Sequence, residues 1–230
     1  MGIVSTGLLL VLALSAFGDG SPKRLVTTPA SAARLLPPGR PTPQYVASVG
    51  TLRIQLPVAQ SVLTALGYHR GGPDALTLTP LGRQGNAGLL SRLWHRIAGS
   101  PKGSLVWYQL GGDAGPGTSA LDVGAPAGTD AYAPVDGTVV GISDFVLSNR
   151  AYGSRIDIRP SSSPSVVVSL APLHPDPALS VGSAVAAGTS KVGTIVDLSG
   201  VERQALARYT QDTGDNVSLQ VSPSATLDIP

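Results

Sequence analysis

Glycine and proline interrupt this chain so often that long helices are disfavoured over most of its length. The 230 residues include 28 Gly and 20 Pro, and both residue types weaken helices and favour turns. Between the turns lie short runs in which apolar and polar residues alternate, among them residues 52–58, 155–159 and 216–221. A period of two is typical of a strand with one buried face. The pattern therefore predicts a mainly β fold built from short strands.

Two segments are predicted to be helical. Residues 86–98 repeat apolar side chains at helical spacing, and Asn86 is placed to act as the N-cap. Residues 201–211 follow a capping-box pattern, in which Ser199 is followed three positions later by Glu202. Each helix would interrupt a series of strands.

The amino-terminal residues are typical of an exported protein. Residues 3–17 form an uncharged apolar run, which is shorter than the span of about 20 residues that crosses a bilayer but matches the core of a signal peptide. Residues 1–18 are therefore predicted to be a signal peptide or a short anchor, with a membrane tether through residues 3–17 in the second case. Residues 19–45 are rich in proline and basic residues, which predicts an extended linker.

Composition excludes several classes of function. The first 110 residues contain only Asp19 and Asp74 as acids, and such a basic half favours an anionic surface such as a membrane leaflet or a wall polymer. The basic residues are scattered and aromatic residues make up only 4% of the chain, so no nucleic-acid interface is predicted. The chain has no cysteine, which excludes disulfides and thiolate metal sites.

Four segments in the second half of the sequence carry motifs that occur together, in the same order, in a known type of domain. They are residues 119–142 (SALDVGAPAGTDAYAPVDGTVVGI), 152–158 (YGSRIDI), 179–195 (LSVGSAVAAGTSKVGTI) and 216–221 (NVSLQV). Together they resemble the LytM/lysostaphin-type peptidoglycan metallopeptidase domain, the duplicated hybrid motif. The resemblance covers residues 113–223 and implies an antiparallel β-sandwich with a groove across one sheet. The predicted architecture is this sandwich, preceded by a small mixed α+β module at residues 46–112 and followed by a C-terminal tail at 224–230.

Most zinc ligands of that family are missing at the matching positions. Active members hold zinc with two His and one Asp, and further histidines of the site assist the reaction. The resemblance places the Asp at Asp122, and it places the histidine positions at Thr118, Pro172, Asn216 and Ser218. A neutral hydroxyl is a poor zinc ligand beside imidazole. The resemblance therefore implies a degenerate site with no catalytic residue and no expected cofactor.

Other histidines leave an alternative open. His174 lies two positions beyond Pro172, so both would lie on the same face of a strand. His69 and His95 are predicted to be surface residues, and Asp122 itself is expected to accept backbone N–H groups in a turn. A zinc site built from Asp122 and His174, with His69 as a further ligand, would instead make the chain an active zinc endopeptidase of peptidoglycan.

The sequence thus predicts an exported cell-envelope or extracellular protein. Its degenerate LytM-like domain would bind peptidoglycan or regulate a cell-wall hydrolase. The predicted binding groove consists of Thr118, Asp122, Pro172, His174, Asn216 and Ser218.

Overall fold

Strands dominate the computed structural model of the chain, which describes residues 39–87, 105–111 and 117–224. Of these residues, 47% lie in strands and 5% in helices, so the prediction of a mainly β fold is confirmed. The strands are β1 (Tyr45–Val49), β2 (Leu52–Gln55), β3 (Ala65–His69), β4 (Thr79–Pro80), β5 (Arg83–Gln84), β6 (Val106–Gln109), β7 (Ala120–Gly124), β8 (Asp130–Tyr132), β9 (Gly137–Leu147), β10 (Arg150–Pro160), β11 (Val166–Pro175), β12 (Ala184–Val185), β13 (Lys191–Ile195) and β14 (Asn216–Pro223). Two short 3-10 helices, Gln60–Val62 and Ala205–Arg208, lie between strands.

The strands form an 11-stranded sheet and a three-stranded sheet. The large sheet has the order β12-β9-β10-β11-β14-β7-β3-β6-β5, and β13 and β8 join it through β11. The small sheet has the order β2-β1-β4. Pairing is antiparallel through the centre of the large sheet, from β9 to β3, and parallel where β6 joins β3 and β5.

Residues on both sides of the predicted boundary between positions 112 and 113 lie in the same sheet. Strand β3 pairs with β7 from Ala65 opposite Gly124 to His69 opposite Ala120. The described residues belong to one compact unit that begins at Pro38. The described part of residues 46–112 therefore contributes strands to the large sheet and buried side chains to the same hydrophobic cluster as the residues that follow it.

Alternation along the strands places one face of the large sheet in the core. In β14 the apolar residues Val217, Leu219 and Val221 are buried, while the polar residues between them point to the opposite side of the sheet. Val46 and Ile54 of the small sheet belong to the same hydrophobic cluster. The two sheets therefore share a single core, and the other face of the large sheet carries the polar side chains.

The prediction of a helix at residues 201–211 is wrong apart from one short turn. The helical part is a four-residue 3-10 helix, Ala205–Arg208. The capping box does not form, because the Ser199 hydroxyl donates to Asp197 and the Glu202 N–H donates to the Leu198 carbonyl in a tight turn.

The other predicted helix lies almost entirely outside the described residues. Asn86, its predicted N-cap, has a different role in the structure. Its side chain accepts a hydrogen bond from the Gln109 N–H at 2.9 Å and donates one to the Gln109 carbonyl at 2.8 Å. Asn86 therefore acts as a short extension of the sheet beside β6.

The predicted signal peptide, most of the predicted linker and all but the first residue of the predicted C-terminal tail also lie outside the described residues. Within the ranges that the structure describes, no helix has the length and apolar character needed to cross a bilayer.

A buried tyrosine connects the two sheets. Tyr68 of β3 is completely buried, and its hydroxyl donates to the Val46 carbonyl of β1 at 2.7 Å. Its ring meets Trp107 of β6 edge to face, with ring centroids 5.2 Å apart. Burial raises the pKa of Tyr68, which favours the protonated hydroxyl that donates this hydrogen bond.

We expect Tyr68→Phe to lower the free energy of unfolding by about 1–3 kcal/mol, because the buried Val46 carbonyl loses its hydroxyl donor. Urea unfolding followed by circular dichroism measures this loss. Tyr45→Phe is the control, since Tyr45 is exposed and the change should stay within about 0.5 kcal/mol. Equal effects of the two substitutions would show that the buried hydroxyl does not connect the sheets.

Candidate functional site

The polar face of the large sheet brings together residues from distant parts of the sequence. On adjacent strands, Ala171 of β11 pairs with Ser218 of β14, Ser218 pairs with Asp122 of β7, and Asp122 pairs with Gly67 of β3. Residues paired in this way point to the same side of the sheet. We call the side of β3, β7, β14 and β11 that points away from the core the outer face.

An ion pair between histidine and aspartate lies on the outer face. Nε2 of His69 is 3.0 Å from Oδ1 of Asp122, and Nδ1 of His69 is 3.0 Å from the Arg70 carbonyl oxygen. Both partners are acceptors, so the ring satisfies both contacts only when each nitrogen carries a proton. The hydrogen bond to Asp122 raises the pKa of His69, although partial burial opposes the shift. The geometry and the pKa both favour a charged imidazolium.

Asp122 is therefore not the turn residue that the sequence suggests. It lies in the middle of β7, where its side chain is 12% exposed and is held by His69. Its role depends on a cross-strand neighbour rather than on the glycine that follows it.

The other predicted groove residues are more widely separated. Asn216 lies two positions before Ser218 on the same face of β14. Its side-chain amide donates hydrogen bonds to the Gln204 side chain and to the Gly214 carbonyl. Thr118 precedes β7 and donates to the Leu78 carbonyl at 2.9 Å. Pro172 is buried and follows a cis peptide bond.

His174 does not join the Asp122 site in this structure. It is exposed near the end of β11, where the strand pairs with β13 and His174 lies opposite Thr194. Within the described residues, no hydrogen bond or ion pair joins His174 to Asp122, and no three His, Asp or Glu side chains are grouped as metal ligands would be.

One end of the outer face is covered by the chain between β13 and β14. We call residues 198–214 the strap. Leu206 in the strap is completely buried, and it sits above two glycines of the sheet. A Cβ atom on Gly67 would lie 2.8 Å from Leu206 Cδ2, and one on Gly124 would lie 3.2 Å from Leu206 Cδ1. The absence of side chains at these two positions makes the space that Leu206 fills.

Polar and aromatic contacts hold the strap in place. At its base, the buried Asp215 carboxylate accepts hydrogen bonds from the Leu198 N–H at 3.4 Å and from the Thr213 hydroxyl at 2.6 Å. Farther along, Tyr209 stacks on Tyr108 of β6, with ring centroids 4.3 Å apart. The strap therefore closes the outer face beside Asn216.

The opposite end of the outer face opens into a cleft. Its lining includes Gly72 and Ala75 of the loop after β3, Arg155 of β10, and Gln220 and Ser222 of β14. The outer face thus runs from a covered end at the strap, past Asp122 and Ser218, to an open end at this cleft.

No known protein family matches this chain, and neither a curated protein nor a solved structure matches it significantly. The LytM-like identity of residues 113–223 accordingly stays a prediction from the sequence.

Sequence reasoning missed the contact between His69 and Asp122. The alternation over residues 65–69 could have indicated it, because buried Leu66 and Tyr68 alternate with Gly67 and His69. That pattern is typical of a strand with His69 on the polar side. It does not reveal which strand lies beside it.

We expect His69→Gln to lower the free energy of unfolding by about 1 kcal/mol at pH 5.5, the value for a partly exposed charge pair. The pKa of His69 is raised above its ordinary value of 6.5, so the stabilisation is fully present below pH 6.5 and is lost as pH rises through the pKa of the folded state. The loss should therefore be smaller at pH 8.5.

Urea unfolding at the two pH values measures this difference. His174→Gln is the matched control, because His174 is exposed and makes no side-chain hydrogen bond within the described residues. An equal loss at both pH values for His69→Gln would contradict a charged His69.

We expect Leu206→Ala to lower the free energy of unfolding by about 2–4 kcal/mol, because it leaves a cavity above the two glycines. Val201→Ala, at an exposed position of the same strap, should change it by less than about 0.5 kcal/mol. Urea unfolding again provides the measurement. A negligible loss for Leu206→Ala would show that the strap is not packed on the sheet in solution.

Proposed function

We propose that this chain is an exported cell-envelope protein whose outer face binds peptidoglycan peptides without cleaving them. The observation that carries the proposal is the register of β7 and β14. The resemblance aligns Asp122 and Ser218 with two zinc-ligand positions of a single site, and these residues are direct cross-strand partners. Two segments nearly 100 positions apart in the sequence thus meet where the proposed domain requires them to meet.

The shape and polarity of the outer face support a peptide ligand. Ala171 and Ser218 form a short row of small, partly exposed side chains, so the backbone of an extended ligand can approach this part of the sheet. Gly67, beyond Asp122 in the same row of cross-strand pairs, is covered by Leu110 and Leu206. The charged pair of His69 and Asp122 lies beside this row. Wall peptides carry carboxylates, amides and amines, and all of these groups pair with such side chains.

The chemistry of the donor set does not fit a catalytic zinc. Zinc needs three or four convergent N, O or S ligands. Both ring nitrogens of His69 face acceptors, so a metal ion would have to displace a proton and one of these contacts in order to bind the ring. Ser218 contributes a neutral hydroxyl, and Asp122 is already paired. We therefore assign no metal-dependent step to this site.

The proposal is tested by sedimentation of purified protein with intact sacculi. We expect the chain to bind, and we expect Ser218→Lys to weaken binding at least tenfold because a long cationic side chain fills the row of small residues. Ser162→Lys is the matched control. Ser162 is exposed on the turn after β10 and lines a separate hollow with Tyr45 and Arg53.

The possible outcomes distinguish peptidoglycan binding from regulation of a wall hydrolase and from zinc endopeptidase activity. Absence of binding by the unsubstituted chain, or equal binding of both variants, would contradict the proposal. Binding that requires an added wall hydrolase would favour the regulatory role. Near-stoichiometric zinc after purification without chelator, together with release of cleaved wall peptides, would establish the alternative of an active endopeptidase.

A further inference from the structure

The open cleft at the end of the outer face is rich in hydrogen-bond donors. We infer that this cleft is a subsite for a carboxylate group of the bound peptide. The inference rests on the proposed function and adds the chemical group that the site recognises.

Arg155 provides the main donor group of the cleft. Its Nε donates to Asp157 Oδ1 at 2.8 Å, and its Nη2 donates to the Ser169 hydroxyl at 2.8 Å. Ser169 in turn donates to the same Asp157 oxygen at 2.6 Å. Asp157 and Ser169 are both buried, so the network fixes the guanidinium from beneath.

The fixed guanidinium still has donors available. Arginine carries five N–H groups in a planar arrangement, and the network beneath uses two of them. The Arg155 side chain is 44% exposed and lines the cleft. A guanidinium held in one orientation loses little further entropy when a planar carboxylate binds to it.

Two residues of β14 add neutral donors. Oε1 of Gln220 accepts the Gly72 N–H at 3.2 Å, which leaves the Gln220 amide N–H groups to face a ligand. Within the described residues, neither these N–H groups nor the Ser222 hydroxyl makes a side-chain hydrogen bond, and both residues line the cleft. The available groups are therefore donors, which match the acceptor oxygens of a carboxylate.

Two carboxylates lower the positive charge of the cleft: Asp157, which is ion-paired with Arg155 at 2.8 Å, and Asp74 at the rim. Asp74 is exposed to solvent, where salt screens its repulsion of an anion. Removing this charge should strengthen carboxylate binding, whereas removing Arg155 should abolish the preference for a carboxylate.

The distance from the cleft to Ser218 along β14 matches the length of a short peptide. Gln220 and Ser218 are two positions apart on one face of β14, and a strand rises about 3.3–3.4 Å per residue, so they are separated by roughly 7 Å. An extended peptide covers that distance with two residues. A ligand that reaches Gln220 in the cleft can therefore extend along β14 to Ser218.

Calorimetric titration with N-acetyl-Lys-D-Ala-D-Ala and with its C-terminal amide tests the inference. We expect the unsubstituted chain to bind the acid at least tenfold more tightly than the amide. Arg155→Gln should remove this preference, and Asp74→Asn should increase affinity for the acid about twofold to fivefold. Arg159→Gln is the matched control, because Arg159 is exposed on the same strand and its substitution removes the same charge.

The outcomes separate this inference from the function on which it rests. Equal affinity of the unsubstituted chain for acid and amide would overturn the carboxylate subsite and leave peptide binding intact. Failure to bind either peptide and failure to bind sacculi would overturn both. A preference for the acid that survives in Arg155→Gln and disappears in Arg159→Gln would place the carboxylate elsewhere on the surface and would also overturn the inference.

Discussion

The antiparallel register between β7 and β14 is the constraint on which both the core and the site depend. Leu121 lies opposite Leu219 on the core side, and Asp122 lies opposite Ser218 on the outer side. Because successive residues of a strand point in opposite directions, a slip of one position would bury the polar residues and expose the apolar ones. The free energy gained by burying the leucines therefore also fixes the pairing of the two site residues. One register therefore sets both the packing of the core and the arrangement of the candidate site.

The charged pair on the outer face depends on a second, longer-range pairing. His69 reaches Asp122 because β3 adds to the edge of β7, and β3 is positioned in turn by the hydroxyl of Tyr68 on the small sheet. Residues before position 87 thus complete a surface that the second half of the chain forms only in part. This explains why the described residues pack as one unit.

Local patterns were sufficient to predict the class of fold and several strands. Alternation identified β2, β10 and β14, because each has one face in the core, and period two is visible without knowledge of any partner. The same reasoning failed at residues 201–211, where Ser199 and Glu202 mimic a capping box but no apolar stripe follows to support a helix. Leu206 instead packs in a small cluster with Ala65 and Leu110 above the glycines of the sheet.

The candidate site was predicted only in part, for a physical reason. Asp122 and Ser218 were selected from separate segments through the resemblance, and the structure places them side by side. The contact of His69 with Asp122, the placement of His174 away from it and the network beneath Arg155 depend on strand order. Strand order follows from the summed packing of the whole sheet, and no short stretch of sequence contains that information.

The closure of the strap at its base affects how the length of the strap over the outer face can change during evolution. Both ends of the strap meet at the Asp215 carboxylate, immediately before the last strand begins. That junction holds the two ends of the loop together just before the final strand, and within the loop Gln204 accepts a further hydrogen bond from Asn216 of that strand. Insertions or deletions between the two anchor points that keep the contacts of Gln204 and Leu206 would change how much of the surface is covered while the register of the final strand is kept.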